Sequence, residues 1–154
     1  MDISKKVKTN CLLITFLVIS LDQLTKYLVT RFFTSLNYKD FILFSIKIIE
    51  NNGAAFNIFS ESLLFLSFIS VLSSIIIFIV ILFNKSINYF DRYALSFILG
   101  GCIGNGLDRI FNGFVVDFIK LNFINFPIFN IADISINIGF LLILYTLIKN
   151  NNLN

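Results

Sequence analysis

The stretch LLFLSFISVLSSIIIFIVILF occupies residues 63–83 and contains no charged side chain. A helix needs about 20 mostly apolar residues to cross the hydrocarbon core of a bilayer. This stretch has that length, and only serines interrupt its apolar character. It therefore predicts a membrane-spanning helix and makes a membrane protein the first expectation for the whole chain.

The composition of the chain favours the same class. Of its 154 residues, 57% are hydrophobic and only 14% are charged, whereas about a quarter of the residues in a typical soluble domain are charged. The length suits one domain over residues 1–154. The net charge of +3 is spread along the chain, so no basic patch indicates nucleic-acid binding.

Three further apolar blocks, one before residues 63–83 and two after them, bring the total to four. Together the four blocks predict an all-α membrane protein with four transmembrane helices. The basic residues divide equally between the two sides of such a bundle, so their total does not orient it. Lys5, Lys6 and Lys8 precede the first span, and the first span usually dominates orientation. Both termini are therefore expected in the cytoplasm. The four predicted spans cover about residues 11–30, 63–83, 90–107 and 132–149.

Two longer connections, residues 34–62 and 108–130, then fall on the extracytoplasmic side. Within the first, Phe44–Ile48 alternates apolar and polar side chains, which predicts a short strand. The second carries several phenylalanines and the only proline, Pro127. Such a connection is expected to lie at the membrane interface as a loop.

Polar residues near the ends of the spans are the candidates for function, because charges at membrane depth are costly. Asp22 and Lys26 are four residues apart and share one helix face. Two interpretations remain open for them. They form a neutralising ion pair, or Lys26 reaches the interface and holds a lipid phosphate or a peptide carbonyl.

The third span ends in a polar group. Gly100 and Gly104 have the spacing that permits close helix packing in lipid, and Asn105, Asp108 and Arg109 follow on one face. Asp108 and Arg109 are interpreted as a structural clamp. An arginine neighbour favours the ionised carboxylate, so Asp108 is a weaker candidate than Asp117 for holding a proton.

Asp117 follows the third span, and Asp133 opens the fourth. Taken singly, Asp117 is typical of a solvated loop and Asp133 of the first turn of a helix. Antiparallel neighbouring helices, however, bring these two positions to the same end of the bundle. Two close carboxyl groups cannot both ionise easily, so the pair is expected to share a proton.

The remaining composition limits the chemistry. The chain has no histidine, which removes a serine–histidine or cysteine–histidine base. Cys11 and Cys102 lie in predicted spans without paired spacing, so they are interpreted as packing residues, and no metal or cofactor is expected. Water activated between Asp117 and Asp133 remains as the predicted reaction.

Five sequence motifs in order resemble those of the bacterial lipoprotein signal peptidases, the type II signal peptidases, and the resemblance covers nearly the whole chain. The motifs are Asp22–Lys26, Asn51–Phe56, Gly100–Arg109, Gly113–Phe118 and Phe126–Asp133. Cys102 stands where the family commonly has alanine, and Ile134 separates Asp133 from Ser135, where the family usually has serine directly. Neither departure touches Asp117 or Asp133.

The resemblance implies a monomeric aspartyl endopeptidase of the bacterial inner membrane, with its active site near the extracytoplasmic face. Its partners would be membrane lipid and lipidated prolipoproteins, which it would cut just before the diacylglyceryl-modified cysteine. By motif match, Asp117 and Asp133 are the catalytic residues. The matching supporting or substrate-contacting positions are Asp22, Lys26, Asn51, Gly53, Asn105, Asp108, Arg109, Asn130 and Ala132.

Two other classes of protein remain as alternatives. One is a different intramembrane aspartyl protease, although Gly104–Asp108 has one residue too many for the Gly-x-Gly-Asp motif of that class. The other is a non-enzymatic four-span transporter or assembly factor, which would more naturally carry its charges near mid-span.

Overall fold

The computed structural model describes residues 3–33, 39–53 and 62–151, with the side chains of residues 3 and 4 excepted. Within these ranges the chain forms four helices and a three-stranded sheet. In chain order the elements are α1 Ile3–Phe32, β1 Lys39–Asp40, β2 Phe44–Asn51, α2 Leu63–Phe83, α3 Tyr89–Phe111, β3 Val115–Leu121 and α4 Ile131–Asn151.

Three of the described helices are long and apolar enough to cross a membrane: Lys5–Phe32 in α1, all of α2 and all of α4. Many of their large apolar side chains are exposed, as lipid-facing side chains would be; Leu64 of α2 and Leu141 of α4 are two such residues. Helix α3 contains the predicted span 90–107 but is not among the three. Its crossing of the bilayer therefore stays a prediction.

Helix α3 is the central helix of the described bundle, because it contacts α1, α2 and α4. Glycines allow this close packing. A Cβ at Gly100 would lie 2.6 Å from Val18 of α1, and one at Gly101 would lie 2.4 Å from the carbonyl oxygen of Ala132 in α4. The predicted packing role of Gly100 is confirmed, since α1 occupies the space a side chain would need.

The sheet has the order β1-β2-β3, with antiparallel pairing throughout. The strand predicted at Phe44–Ile48 is confirmed and continues to Asn51. The prediction of an unpaired interfacial loop over residues 108–130 is wrong in part, because α3 continues to Phe111 and Val115–Leu121 forms β3 against β2. Branched and aromatic side chains suit a strand of this kind.

An apolar cluster joins the sheet to the helices. Val116 and Phe118 of β3 pack with Val29 near the end of α1. A turn at Asn112-Gly113 follows α3, and Gly113 has a φ of 83°, a backbone conformation that glycine adopts without steric cost. This turn sends the chain from α3 back over the end of the bundle. Residues 54–56 of the Asn51–Phe56 motif lie outside the described residues.

Candidate active site

Asp117 and Asp133 line the same cavity, which has a volume of about 710 Å³. Asp117 lies in the middle of β3 and is only 3% exposed. Asp133 lies in the first turn of α4. The alternative that Asp117 is a solvated loop residue is therefore wrong. Both predicted catalytic residues line the same cavity.

Asn130 connects the two carboxyl groups. It immediately precedes α4, and its side-chain oxygen accepts from the backbone N–H of Asp133 at 2.9 Å, while its own backbone N–H donates to Asp133 Oδ2 at 3.1 Å. This reciprocal pair is a capping box. Its side-chain Nδ2 donates to Asp117 Oδ1 at 2.7 Å. A single fully buried amide thus fixes the position of one carboxyl relative to the other.

Asn51 holds the other oxygen of Asp117. The end of β2 pairs with the start of β3, which sets Asn51 opposite Val115. Its Nδ2 then donates to Asp117 Oδ2 at 2.8 Å, and its Oδ1 accepts from the backbone N–H of Gly53 at 2.9 Å. The Asn51 side chain thus closes the turn at Asn52-Gly53 and also binds the candidate catalytic carboxyl.

Asn105 binds Asp133 in the same way from α3. Its Nδ2 donates to Asp133 Oδ1 at 2.8 Å, and its Oδ1 accepts from Lys26 Nζ and from Asn130 Nδ2, each at 3.0 Å. An ammonium group can only donate. Lys26 therefore fixes which end of the Asn105 amide faces Asp133.

Lys26 is the centre of a buried charged group. Its Nζ lies 2.8 Å from Asp22 Oδ2 and 2.9 Å from Asp108 Oδ2. The predicted ion pair with Asp22 is confirmed. Lys26 is only 4% exposed, so the alternative that it holds a group at the interface is wrong. The predicted clamp between Asp108 and Arg109 is also corrected, because Asp108 pairs with Lys26.

Asp22 and Asp108 also accept hydrogen bonds from backbone N–H groups of the site. Asp22 Oδ1 accepts from the N–H of Ala132 at 2.9 Å, and Asp108 Oδ2 accepts from the N–H of Val116 at 3.1 Å. Val116 and Ala132 directly precede the two candidate catalytic aspartates. Gln23, which the sequence did not single out, donates to Asp22 Oδ2 at 3.2 Å and to Asp108 Oδ1 at 3.1 Å.

Arg109 lies on another wall of the cavity. Its guanidinium donates to Ser70 Oγ at 3.3 Å and to the carbonyl oxygen of Gly53 at 3.2 Å. Its buried Nε has no hydrogen-bond partner among the described residues. Gly53 thus enters the site through its backbone. Ser70 was missed because nothing distinguishes it from the other serines of α2.

The surroundings of Asp117 favour its protonated form. Burial raises the pKa of Asp117 to about 6, and the nearby charge of Asp133 acts in the same direction. Hydrogen bonds from Asn51 and Asn130 and the charge of Lys26 lower the pKa and offset part of this effect. A carboxyl group with a pKa near 6 can hold and release a proton close to neutral pH.

The rest of the cavity is mostly apolar. Its wall runs along α4 through Ile134, Ile138 and Leu141, which are spaced as one helix face. Cys102, predicted to be a packing residue, also lines the cavity. The residues between β3 and α4 complete the lining with Ile124, Phe126, Pro127, Ile128 and Phe129.

Apolar helices around a cavity lined by the buried Asp117 and the half-buried Asp133 define the class of protein as a membrane-bound enzyme. Comparison with known proteins agrees. Residues 14–149 match the family model of signal peptidase (SPase) II. The chain therefore belongs to the signal peptidase II family, whose members are proteases.

Individual relatives are similar over most of their length. The lipoprotein signal peptidase of Lactobacillus johnsonii is 40% identical over 149 residues, which cover 94% of this chain and 96% of that protein. The lipoprotein signal peptidase of Microcystis aeruginosa is 39% identical over 127 residues, covering 80% and 82% of the two chains.

A solved structure is similar as well. A bacterial membrane enzyme determined by the in meso method at 2.3 Å resolution superposes with a TM-score of 0.86 at 35% sequence identity, over 93% of this chain and 90% of that one. The family, the fold and the apolar helices together identify a bacterial membrane protein.

Proposed function

We propose that this chain is an aspartyl endopeptidase that removes signal peptides from diacylglyceryl-modified prolipoproteins by cutting before the lipidated cysteine. One observation carries the proposal: Asp117 and Asp133 are both bound by Asn130 and both line one cavity. The relatives from Microcystis aeruginosa and Lactobacillus johnsonii are lipoprotein signal peptidases, which supports lipoproteins as the substrate class.

The two carboxyl groups have different surroundings, which supports different roles. Asp133 accepts from the backbone N–H of Asn130 and from Asn105, and it lies at a helix N-terminus, where negative charge is favoured. We assign it the ionised form. Asp117 is deeply buried, and we assign it the shared proton.

The proposed reaction starts from an ionised Asp133 and a protonated Asp117. Asp133 accepts a proton from a water molecule held between the two carboxyl groups, and the water oxygen attacks the scissile carbonyl carbon. Asp117 donates its proton to the carbonyl oxygen, which gives a neutral tetrahedral intermediate without a covalent bond to the enzyme. Collapse of the intermediate breaks the C–N bond. Asp133 gives its proton to the leaving nitrogen, and Asp117 takes a proton back from one of the two hydroxyl groups, which leaves a carboxylic acid and restores both aspartates. The macroscopic pKa values belong to the pair.

The apolar cavity wall supports a substrate that approaches from the lipid phase. Ile134, Ile138 and Leu141 continue from the carboxyl pair along α4, a helix apolar enough to cross a bilayer. Acyl chains and an apolar signal helix fit such a surface. The complete proposal is a monomer with four spans, both termini in the cytoplasm and the carboxyl pair near the extracytoplasmic face.

The test is cleavage of a lipidated precursor by purified protein in detergent. Asp117→Asn and Asp133→Asn should each lower the rate by at least about a thousandfold, since each removes one partner of the acid–base pair. Glu50→Gln, which neutralises an exposed carboxylate next to Asn51, is the matched control and should cleave normally. Normal cleavage by either aspartate variant would exclude that residue from the chemistry.

An unlipidated precursor run beside the lipidated one separates the alternatives. The proposal expects cleavage of the lipidated form alone. Equal cleavage of both forms would favour a general intramembrane aspartyl protease. Absence of cleavage of either form by a folded protein would favour a non-enzymatic membrane protein.

A further inference from the structure

A second cavity, of about 360 Å³, lies on the sheet away from the carboxyl pair. Its lining is polar or charged, and the proposed reaction uses none of it. The lining residues are Asp40, Ser45, Lys47, Lys120 and Asn122. None of them belongs to the five motifs that carry the family resemblance.

The strand alternation locates this cavity relative to the helices. Val116, Phe118 and Lys120 share one face of β3, because side chains alternate along a strand. Val116 and Phe118 pack against Val29 of α1, so Lys120 comes next on that face, beyond the helix end at Phe32. About 20 residues cross the hydrocarbon core, and the span predicted in α1 covers residues 11–30, so the end of α1 at Phe32 is expected near the membrane surface. The cavity therefore lies at the level of the lipid headgroups.

The charges in the cavity favour an anion. Lys47 and Lys120 are exposed and form no salt bridge within the described ranges 3–33, 39–53 and 62–151. The one acid, Asp40, is bound by the hydroxyl of the buried Ser45, which also lies within hydrogen-bond distance of Asn122 Oδ1. The described lining thus carries two ammonium groups against one carboxylate, which favours an anion.

Exposed apolar residues lie beside these lysines. Phe41, Ile42 and Leu43 connect β1 to β2, and Ile42 is 95% exposed. Phe123 and Ile124, which follow β3, are exposed as well. Apolar side chains next to lysines are the combination by which interfacial segments bind anionic bilayers.

We propose that this cavity binds the phosphate of an anionic phospholipid. Lys47 and Lys120 contact the headgroup, and the Phe41–Leu43 tip inserts between the acyl chains. The bound lipid holds the sheet, and with it the strand that carries Asp117, against the membrane surface. This site is separate from the carboxyl pair, and its lipid is not the substrate of the proposed reaction.

Lipid binding by delipidated protein in detergent tests the site directly. Native mass spectrometry with phosphatidylglycerol and, separately, phosphatidylcholine should show preferential retention of the anionic lipid. Lys47→Gln should weaken that binding about 5-fold, and the double variant with Lys120→Gln about 25-fold. The matched control, Lys85→Gln with Lys149→Gln, removes the same charge outside the cavity and should bind as the unchanged protein does. Equal retention of the two lipids, or an unaffected double variant, would overturn the proposal.

A fluorescent reporter tests insertion of the tip. The chain has no tryptophan, so Ile42→Trp provides a single probe. In bilayers its emission should shift to shorter wavelength, and brominated phosphatidylglycerol should quench it more than brominated phosphatidylcholine does. The preference should disappear with Lys47→Gln and Lys120→Gln. Water-like emission without quenching, or displacement of the lipid by millimolar inorganic phosphate or an acidic peptide, would show that the lysines do not select a membrane lipid.

Discussion

Asparagine side chains, and not charged ones, make most of the direct contacts to the two candidate catalytic carboxyl groups. Asn51 and Asn130 bind Asp117, and Asn105 binds Asp133. An amide donates a hydrogen bond without adding a charge. A lysine or arginine in the same place would favour the ionised carboxylate far more strongly. The amides therefore fix the geometry and leave Asp117 able to carry a proton.

The pH dependence of cleavage follows from the pKa of Asp117. Burial raises that pKa from 3.8 to about 6, so the protonated form persists up to pH 6 and is lost as the pH rises further. With Asp117 as the proton donor, kcat/KM should fall about tenfold per pH unit above pH 6. Rates measured between pH 5 and pH 8 would check this, and a flat profile would contradict it.

A variant of Asn51 offers a second test of Asp117 as the proton donor. Its hydrogen bond to Asp117 lowers the pKa of that carboxyl. Asn51→Ala should therefore move the fall in kcat/KM to higher pH, besides lowering the rate itself. A lower rate with an unmoved profile would indicate that Asn51 acts on substrate alone.

The buried Lys26 predicts a large effect on stability. Lys26→Met would leave Asp22 and Asp108 buried without their cation, and breaking a buried pair in this way costs about 3–5 kcal/mol. The free energy of unfolding in detergent should fall by that order. Lys6→Met, at an exposed position of the same helix, is the control and should change it little. Equal stability of the two variants would contradict this prediction and would mean that water reaches Asp22 and Asp108.

Helix α3 decides how closely the helices approach one another. Its polar residues face inward, and its glycines contact α1 and α4. Helix α3 is not among the three described helices that are apolar enough to cross a membrane, although an apolar block predicted a span at residues 90–107. It is nevertheless the element that brings Asn105 and Asp108 to the site.

Alanine substitutions at two glycines of α3 should behave differently. A Cβ at Gly101 would lie 2.4 Å from a backbone oxygen of α4, whereas one at Gly106 would meet only Ser70 Cβ at 3.3 Å. Gly101→Ala should lower the free energy of unfolding by about 1–3 kcal/mol. Gly106→Ala should stay within about 1 kcal/mol of the unchanged protein, because alanine favours helix. Thermal unfolding in detergent would compare them, and equal midpoints would contradict the packing argument.

The elements differ in how far the sequence predicted them. Helices α1, α2 and α4 follow from long apolar runs, and their predicted spans fall inside the observed bounds. Strand β3 was missed because its sequence VVDFIKL does not alternate apolar and polar side chains: its two charged residues, Asp117 and Lys120, are three positions apart. Its existence depends on pairing with β2, more than 60 residues earlier in the chain.

On the scale of the whole molecule, the site lies at one end of the bundle, where α3 ends and α4 begins. The sheet covers this end. The opposite end carries the short connection between α2 and α3. In the proposed orientation, the sheet and the carboxyl pair are extracytoplasmic and the α2–α3 connection is cytoplasmic.

Accessibility of single cysteines would check the orientation and the crossing by α3. Ser86→Cys and Asn125→Cys lie in exposed connections at opposite ends of the bundle and would be made with Cys11 and Cys102 replaced by alanine. A membrane-impermeant maleimide should label Asn125→Cys in intact cells and Ser86→Cys only after permeabilisation. The reverse pattern would invert the orientation, and labelling of both in intact cells would exclude a crossing by α3.

The sequence by itself determined the membrane class, three apolar helices, the candidate pair Asp117 and Asp133, and the ion pair of Asp22 with Lys26. These follow from hydropathy, from helix spacing and from motifs that resemble a known family, all of which are properties of local sequence. Only the tertiary structure decided that Asp108 pairs with Lys26, that Asn130 binds both carboxyl groups, and that Asp117 is buried in a strand. Those contacts join residues far apart in the chain, and the free energy of burying a polar group depends on which partners the folded chain brings to it.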